Sequence, residues 1–173
     1  MSEGRPILPH QAAEFYTWLW WSSEEQEGMF ETGEPMGRVD VWVDERLAFR
    51  TPNESRVTAV LTGDNPSTTL EARAALAGGK VLEELRIGVR RDDREYAVTL
   101  KGPALHFTRV KLPQVLLEGE DSVIYDRMHL LEELEAIVGG LFQQFARARN
   151  ESSWDEEVLP RLRQWVLAGV EEV

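Results

Sequence analysis

Cysteine is absent from the chain, which excludes disulfide bonds, thiolate metal sites and a cysteine nucleophile. No apolar run approaches the ~18 residues that a membrane-spanning helix needs. The N-terminal Met1-Ser2-Glu3-Gly4-Arg5-Pro6 lacks the ordered basic, apolar and small-residue regions of a signal peptide. Together these absences predict a cytoplasmic protein that does not enter a membrane. Cations are also scarce: 19 Lys/Arg face 31 Asp/Glu, a net charge of −12. A chain of that sign does not as a whole displace the counterions of a phosphate backbone.

Catalytic patterns are missing as well. The three histidines, His10, His106 and His129, fall on a helix start, a strand and a helix, with no ligand spacing between any two. The acid pairs Glu83-Glu84, Asp92-Asp93 and Glu132-Glu133 are adjacent in sequence, so their members point to different faces and make poor acid/base partners. Gly78-Gly79-Lys80 lacks the first glycine and the final Ser/Thr of a P-loop, and there is no Gly-x-Ser-x-Gly. The expectation is a protein with no catalytic residues, no metal and no cofactor.

The most distinctive stretch present is Glu14-Phe15-Tyr16-Thr17-Trp18-Leu19-Trp20-Trp21, with three of the six tryptophans. It reads as a helix over roughly 10–26, following a flexible lead over 1–9. At 100° per residue, Ala12, Phe15, Trp18, Leu19 and Ser22 share one face, which is expected in the core. Trp20 and Trp21 point elsewhere. A helix apolar on most sides is buried or covered by something. Trp20 and Trp21 are therefore the expected contact with another chain, making the protein a homo-oligomer or a partner subunit.

Gly28 to Gly37 carries three glycines and Pro35 and reads as a loop. Val39, Val41 and Val43 alternate with polar neighbours as in a strand, Asp44-Glu45 reads as a tight turn, and Arg46–Arg50 as its hairpin partner. A third strand spans 55–62. A short helix follows, capped by Ser67 or Thr68 and ended by Gly78-Gly79. Strands are then predicted over 81–90, 95–101 and 104–111. From about 121 to 149 the period is helical, with Ile124, Met128, Leu131, Leu134, Val138, Leu141 and Phe145 as the apolar stripe. Gly139-Gly140 within it is either a kink or a close approach of another backbone. A last helix carries Trp154, Val158, Leu162, Trp165 and Val166, with Pro160 breaking it. This order predicts one α+β domain over 10–173. It has an antiparallel sheet or sheets, an N-terminal aromatic helix and a C-terminal helical part over about 120–173.

Charge is uneven. Residues 80–111 hold eight Lys/Arg against five Asp/Glu, a net of +3 that leaves −15 for the rest of a chain whose total is −12. Arg86, Arg90, Arg91, Arg94, Lys101, Arg109 and Lys111 are thus the candidate DNA contacts. Arg86 and Arg90 share strand parity, as do Arg109 and Lys111, so a strand pair could present four cations to phosphates. The competing reading is that they pair with the abundant acids and keep edge strands soluble. On charge alone that reading is favoured.

The aromatic stretch 14–21, followed by Val39-Asp40-Val41-Trp42-Val43-Asp44-Glu45-Arg46-Leu47, resembles the C-terminal part of the recombination-associated RdgC family. Glu71-Ala72-Arg73-Ala74-Ala75-Leu76 before Gly78-Gly79-Lys80, and the helix with Leu130-Leu131-Glu132-Glu133-Leu134, are similar too. The likeness covers about residues 10–168. It implies a bacterial, cytoplasmic or nucleoid-associated protein without enzymatic activity. Such proteins bind double-stranded DNA with little sequence preference, form ring-shaped dimers around it and restrain the RecA recombinase. The family carries a long N-terminal portion ahead of this region, whereas nine residues precede the aromatic helix here. No DNA-contacting residue carries over by motif. The resemblance therefore predicts a non-enzymatic protein acting on DNA or in a DNA-processing, recombination-regulating complex. The alternative is a protein-binding subunit that docks a partner through its aromatic helix and touches no DNA.

Overall fold

A helix with aromatic side chains on several sides has to be enclosed, and the fold encloses α1 (Pro9–Glu25). The structure is a computed structural model that describes residues 9–54, 56–64, 70–114 and 120–171. Of the flexible lead expected over 1–9, Pro9 instead opens α1, and residues 1–8 lie outside the described residues, as does the helix cap at Ser67 or Thr68. After α1 come β1 (Met29–Glu31), β2 (Arg38–Arg50), β3 (Val57–Thr62) and α2 (Leu70–Ala77). Then follow β4 (Val81–Arg91), β5 (Arg94–Lys101), β6 (His106–Lys111) and α3 (Glu120–Asn150). A π-helical turn (Trp154–Val158) runs directly into α4 (Leu159–Glu171). Pro160, expected to break the last helix, stands where the π-helical turn, closed by the Leu159 N–H on the Trp154 carbonyl, passes without a gap into α4.

The strands form one antiparallel sheet in the order β1-β2-β4-β5-β6, with β3 paired to β2. β2 has 13 residues, and the two short strands share its outer edge: β1 against Arg38–Asp40, β3 against Arg46–Arg50. Two expectations are corrected here. The glycine-rich loop contains β1, and the hairpin expected at Asp44-Glu45 is one continuous strand. Both halves of β2 pair with the same partner, Val43 with Ile87 and Leu47 with Leu85. Asp44, Glu45 and Arg46 together oppose Arg86 alone, and Glu45 takes a φ of +47°. The Asp-Glu pair therefore bends the chain as a bulge instead of reversing it.

Alternation sorts the sheet into two faces. Val39, Val41, Val43, Leu47, Phe49, Leu85, Ile87, Val89, Val98 and Leu100 are buried in the core. α1 lies on this side against β2 and β4, with α3 and α4 against α1 and α2 against α4. Phe15 meets Phe142 at 5.2 Å in a T-shaped contact, and both Phe15 and Trp18 meet Phe145, which in turn abuts Trp154. Gly140 of α3 supports this approach: a Cβ there would come within 2.9 Å of the Thr32 side chain. Of the two readings of Gly139-Gly140, close packing is the one realised, and at Gly140.

The other flank of α1 is closed by α2 and α4. The Trp20 ring stands perpendicular to Trp165 at 4.8 Å. Trp20 Nε1 donates to Glu24 Oε1 at 3.1 Å and Trp165 Nε1 to Glu24 Oε2 at 2.8 Å. Arg73 of α2 donates to the same Glu24 oxygen at 2.9 Å and lies 4.5 Å over the Trp165 ring.

Trp18 is 6% exposed and touches rings from the sheet side and from α3. Trp18→Ala is expected to lower the unfolding free energy by about 3–5 kcal/mol in urea titrations, as loss of a buried aromatic does. A cost under about 1 kcal/mol, typical of surface changes, would show that this ring is not a core member.

Candidate functional site

The seven cations singled out by charge fall in three places. Arg91 and Arg94 turn to the helix side, at the end of the β4–β5 hairpin. Arg91 Nη1 and Arg94 Nη1 donate to the two oxygens of Glu133 on α3 at 2.6 and 2.5 Å, and Arg91 Nε donates to the Met36 carbonyl at 2.8 Å. Burial pushes the Glu133 carboxyl up, but the Arg91 hydrogen bond and the charges of Arg94 and Arg91 outweigh it and hold the group below the usual glutamate range. These two arginines fasten α3 to the sheet.

Arg86 and Arg90 share the opposite, open face of the sheet with Gly88 between them, as parity requires. Gly88 is needed because the Trp42 ring lies on it: a Cβ would sit 2.1 Å from that ring. Arg90 is exposed and pairs with Asp40 at 3.1 Å. Arg86 is buried, which corrects its reading as a phosphate contact. It fills the β2 bulge, donating to Thr99 Oγ1 at 3.2 Å and to the Arg109 carbonyl at 2.8 Å, with the Glu45 carboxylate 3.9 Å away. Asp44, at the same bulge, is pushed up by burial and by Glu45, against the pull of Arg86 and Lys111. Beside it, Glu84 takes Arg46 at 2.7 Å and Lys101 at 3.3 Å. Burial raises the Glu84 carboxyl, and the hydrogen bonds and charges of those two cations more than reverse it.

The third place is the β6 edge. Lys101 is half-exposed beside it, and Arg109 and Lys111 are exposed on it. Neither Arg109 nor Lys111 makes an ion pair among the described residues. β6 itself, His-Phe-Thr-Arg-Val-Lys, contains no acid. Arg109 has a φ of +50°, where the β5–β6 register shifts between Ala97 and Thr99, so the edge is bulged. The four-cation surface expected from parity is thus reduced to an edge strip of Lys101, Arg109 and Lys111, with Arg90 apart from it.

Trp20 and Trp21 are corrected as an exposed partner contact. Trp20 is 0% and Trp21 7% exposed, both covered within the chain. Arg161 of α4 lies 6.0 Å over the Trp21 ring. The terminal helices thus supply covering that was expected from another chain.

A cleft of about 620 Å³ opens between α1, the β2–β3 turn and the start of α4, floored by Ala13, Val81, Leu159 and Leu162. Its guanidiniums are already engaged: Arg50 with Glu83 at 2.9 Å, Arg149 with Glu14 at 2.9 Å and over Trp154. Among the described residues no three His, Asp or Glu side chains converge as a metal site. No helix among them is long and apolar enough to cross a membrane. Sequence reasoning missed Glu133 and Glu24, since each looks like one of many surface acids until the arginines and indoles around it are placed. It also put Ile124 and Met128 in the core stripe of α3, whereas they are 57% and 54% exposed, beside Tyr125 at 72%.

The chain matches no family model, no curated protein and no solved structure.

Two outcomes follow from this electrostatic arrangement. Arg86→Ala leaves the Arg109 carbonyl and Thr99 Oγ1 without their donor and takes the nearby cation from Glu45, and is expected to cost about 1–3 kcal/mol in chemical unfolding. A neutral effect would mean that Arg86 is a surface cation after all. Glu133 and Glu84 have folded values below the ordinary glutamate value of 4.5, so the unfolded chain binds protons first. Their stabilisation is complete above that value and is lost as pH falls through the lowered folded values. Acid titration of the unfolding free energy should show this decline, and Glu133→Gln should flatten it. An unchanged acid limb in that variant would refute the assignment.

Proposed function

We propose that the chain is a non-enzymatic, RdgC-like protein that associates with DNA or with a DNA-processing complex in the bacterial cytoplasm or nucleoid. On this reading the contact is the β6 edge, with Lys101, Arg109 and Lys111 facing phosphates. The observation that carries it is the acid-free edge strand, whose Arg109 and Lys111 are exposed and make no ion pair among the described residues. In a chain of net charge −12 that spends most of its sheet cations on its own acids, two exposed cations without an ion pair among the described residues, Lys111 within the field of Asp44, suit an external anion. Contacts of this kind read the backbone and not the bases, which agrees with the sequence-indifferent binding that the resemblance implies. The exposed, bulged edge also resists pairing with a further strand, so the same residues protect β6 from aggregation.

A second reading, a partner-binding subunit that touches no DNA, is favoured by the exposed apolar side chains at the start of α3. It moves the contact away from α1, where both tryptophans are enclosed.

Fluorescence anisotropy with labelled duplex over a salt series separates the two. Three phosphate contacts give a slope of log K on log salt of about −3. Alanine at Lys101, Arg109 and Lys111 should each flatten the slope by about 1, equally for unrelated sequences. No binding by the wild-type chain at low salt, or an unaltered slope in the triple variant, would reject the DNA contact.

A further inference from the structure

Over 122–129 α3 buries little: Val123 and Asp126 are half-buried, with Asp126 Oδ2 shielded from solvent. None of residues 122–129 is buried, and the first core residue is Leu130. At about 1.5 Å per residue this is an overhang of roughly 12 Å. The overhang carries Ile124, Tyr125 and Met128, three of the largest exposed apolar side chains in the protein. At 100° per residue the three lie within one 100° sector, on the side of α3 turned away from Leu134, Ile137 and Leu141. The same sector continues along the helix into Glu132 and Glu135, both exposed and in no ion pair among the described residues. It holds no cation. The face therefore reads apolar first and anionic one to two turns later.

We propose that this face of α3 docks a partner protein, through a segment that presents large apolar side chains followed by Lys or Arg. Charge complementarity selects that occupant. A second copy of this chain fits poorly. Parallel pairing stacks Glu132 on Glu132, and antiparallel pairing centred on Met128 sets Glu132 against Ile124, which buries an unpaired acid. An anionic membrane or nucleic acid is repelled by the two glutamates. A cationic amphipathic segment covers the apolar trio and neutralises Glu132 and Glu135 at once. Tyrosine is a residue type that anchors interfaces, and methionine adapts to varied partner shapes. The docking does not depend on DNA binding, and its test contains no nucleic acid.

The probe is a synthetic amphipathic helical peptide with leucines on one face and lysines along its flanks. Its Leu→Ser and Lys→Glu versions serve as controls. Anisotropy of the labelled peptide against the full chain should show binding that neither control reproduces. Ile124→Ser with Met128→Ser should weaken it by about tenfold or more, the factor that corresponds to 1.4 kcal/mol. Glu132→Lys with Glu135→Lys should weaken it by several-fold, and Arg109→Ala with Lys111→Ala should leave it unchanged. Far-UV circular dichroism checks that each variant is folded, which exposed positions allow. Amide exchange over 122–129 should slow when the peptide is added. The proposal is overturned if the wild-type chain does not bind the peptide, if the serine variant binds equally well, or if the Leu→Ser peptide does. It is overturned too if the wild-type chain self-associates and the serine variant does not, since the occupant is then a second copy.

Discussion

Enclosure of α1 is the constraint on which the rest of this structure depends. Phe15 and Trp18 project from one side of the helix and Trp20 from another, so no single sheet face can bury them all. The sheet takes one side, the Phe142–Phe145 stretch of α3 a second, and α4 with α2 a third. Each aromatic contact adds about 0.5–1.5 kcal/mol beyond the area it removes from water. The geometry matters more than the sum: three separate segments, distant in sequence, must arrive before the helix is dry. Gly140 is the point where α3 comes close enough to do its part.

Much of this was legible in the residues. Strict alternation in Val39–Val43 and the turn chemistry between β4, β5 and β6 are local signals, and the antiparallel sheet follows from them. Asp44-Glu45 was not legible, because an acidic pair between two apolar runs suits a turn and a bulge equally. What decides is that both halves of β2 find the same partner strand. The α3 stripe failed for a different reason. Ile124, Leu131, Val138 and Phe145 repeat every seven residues, and such a repeat drifts about 20° per heptad around an α-helix. Counted back from the buried Phe145, Ile124 has rotated by roughly 60°, and over 122–129 no side of the helix carries a buried residue. The pattern was real, but its far end belongs to another surface.

The charge pattern misled in an instructive way. Strand parity correctly placed Arg86 and Arg90 on one face, but parity does not reveal what stands beside a cation. With acids so abundant, an arginine on a sheet meets a carboxylate across the strands before it meets solvent. Arg91 and Arg94 are spent on Glu133, Arg90 on Asp40 and Arg46 on Glu84. The candidate surface that survives does so because β6 brings no acid of its own. For an acidic chain, a local deficit of carboxylates is thus a better guide to an anion-facing surface than a local surplus of cations.

The shared carboxylate of Glu24 has a consequence for α2 and α4 alike. It accepts from an indole of α1, an indole of α4 and the guanidinium of α2. Arg73 also donates to the Trp165 carbonyl at 3.0 Å. Releasing α4 would leave the Trp165 indole N–H and one Arg73 N–H without these acceptors, and releasing α2 would take the cation from the same carboxylate. α2 and α4 are thus tied to α1 through one carboxylate, so a change at Glu24 acts on both helices at once.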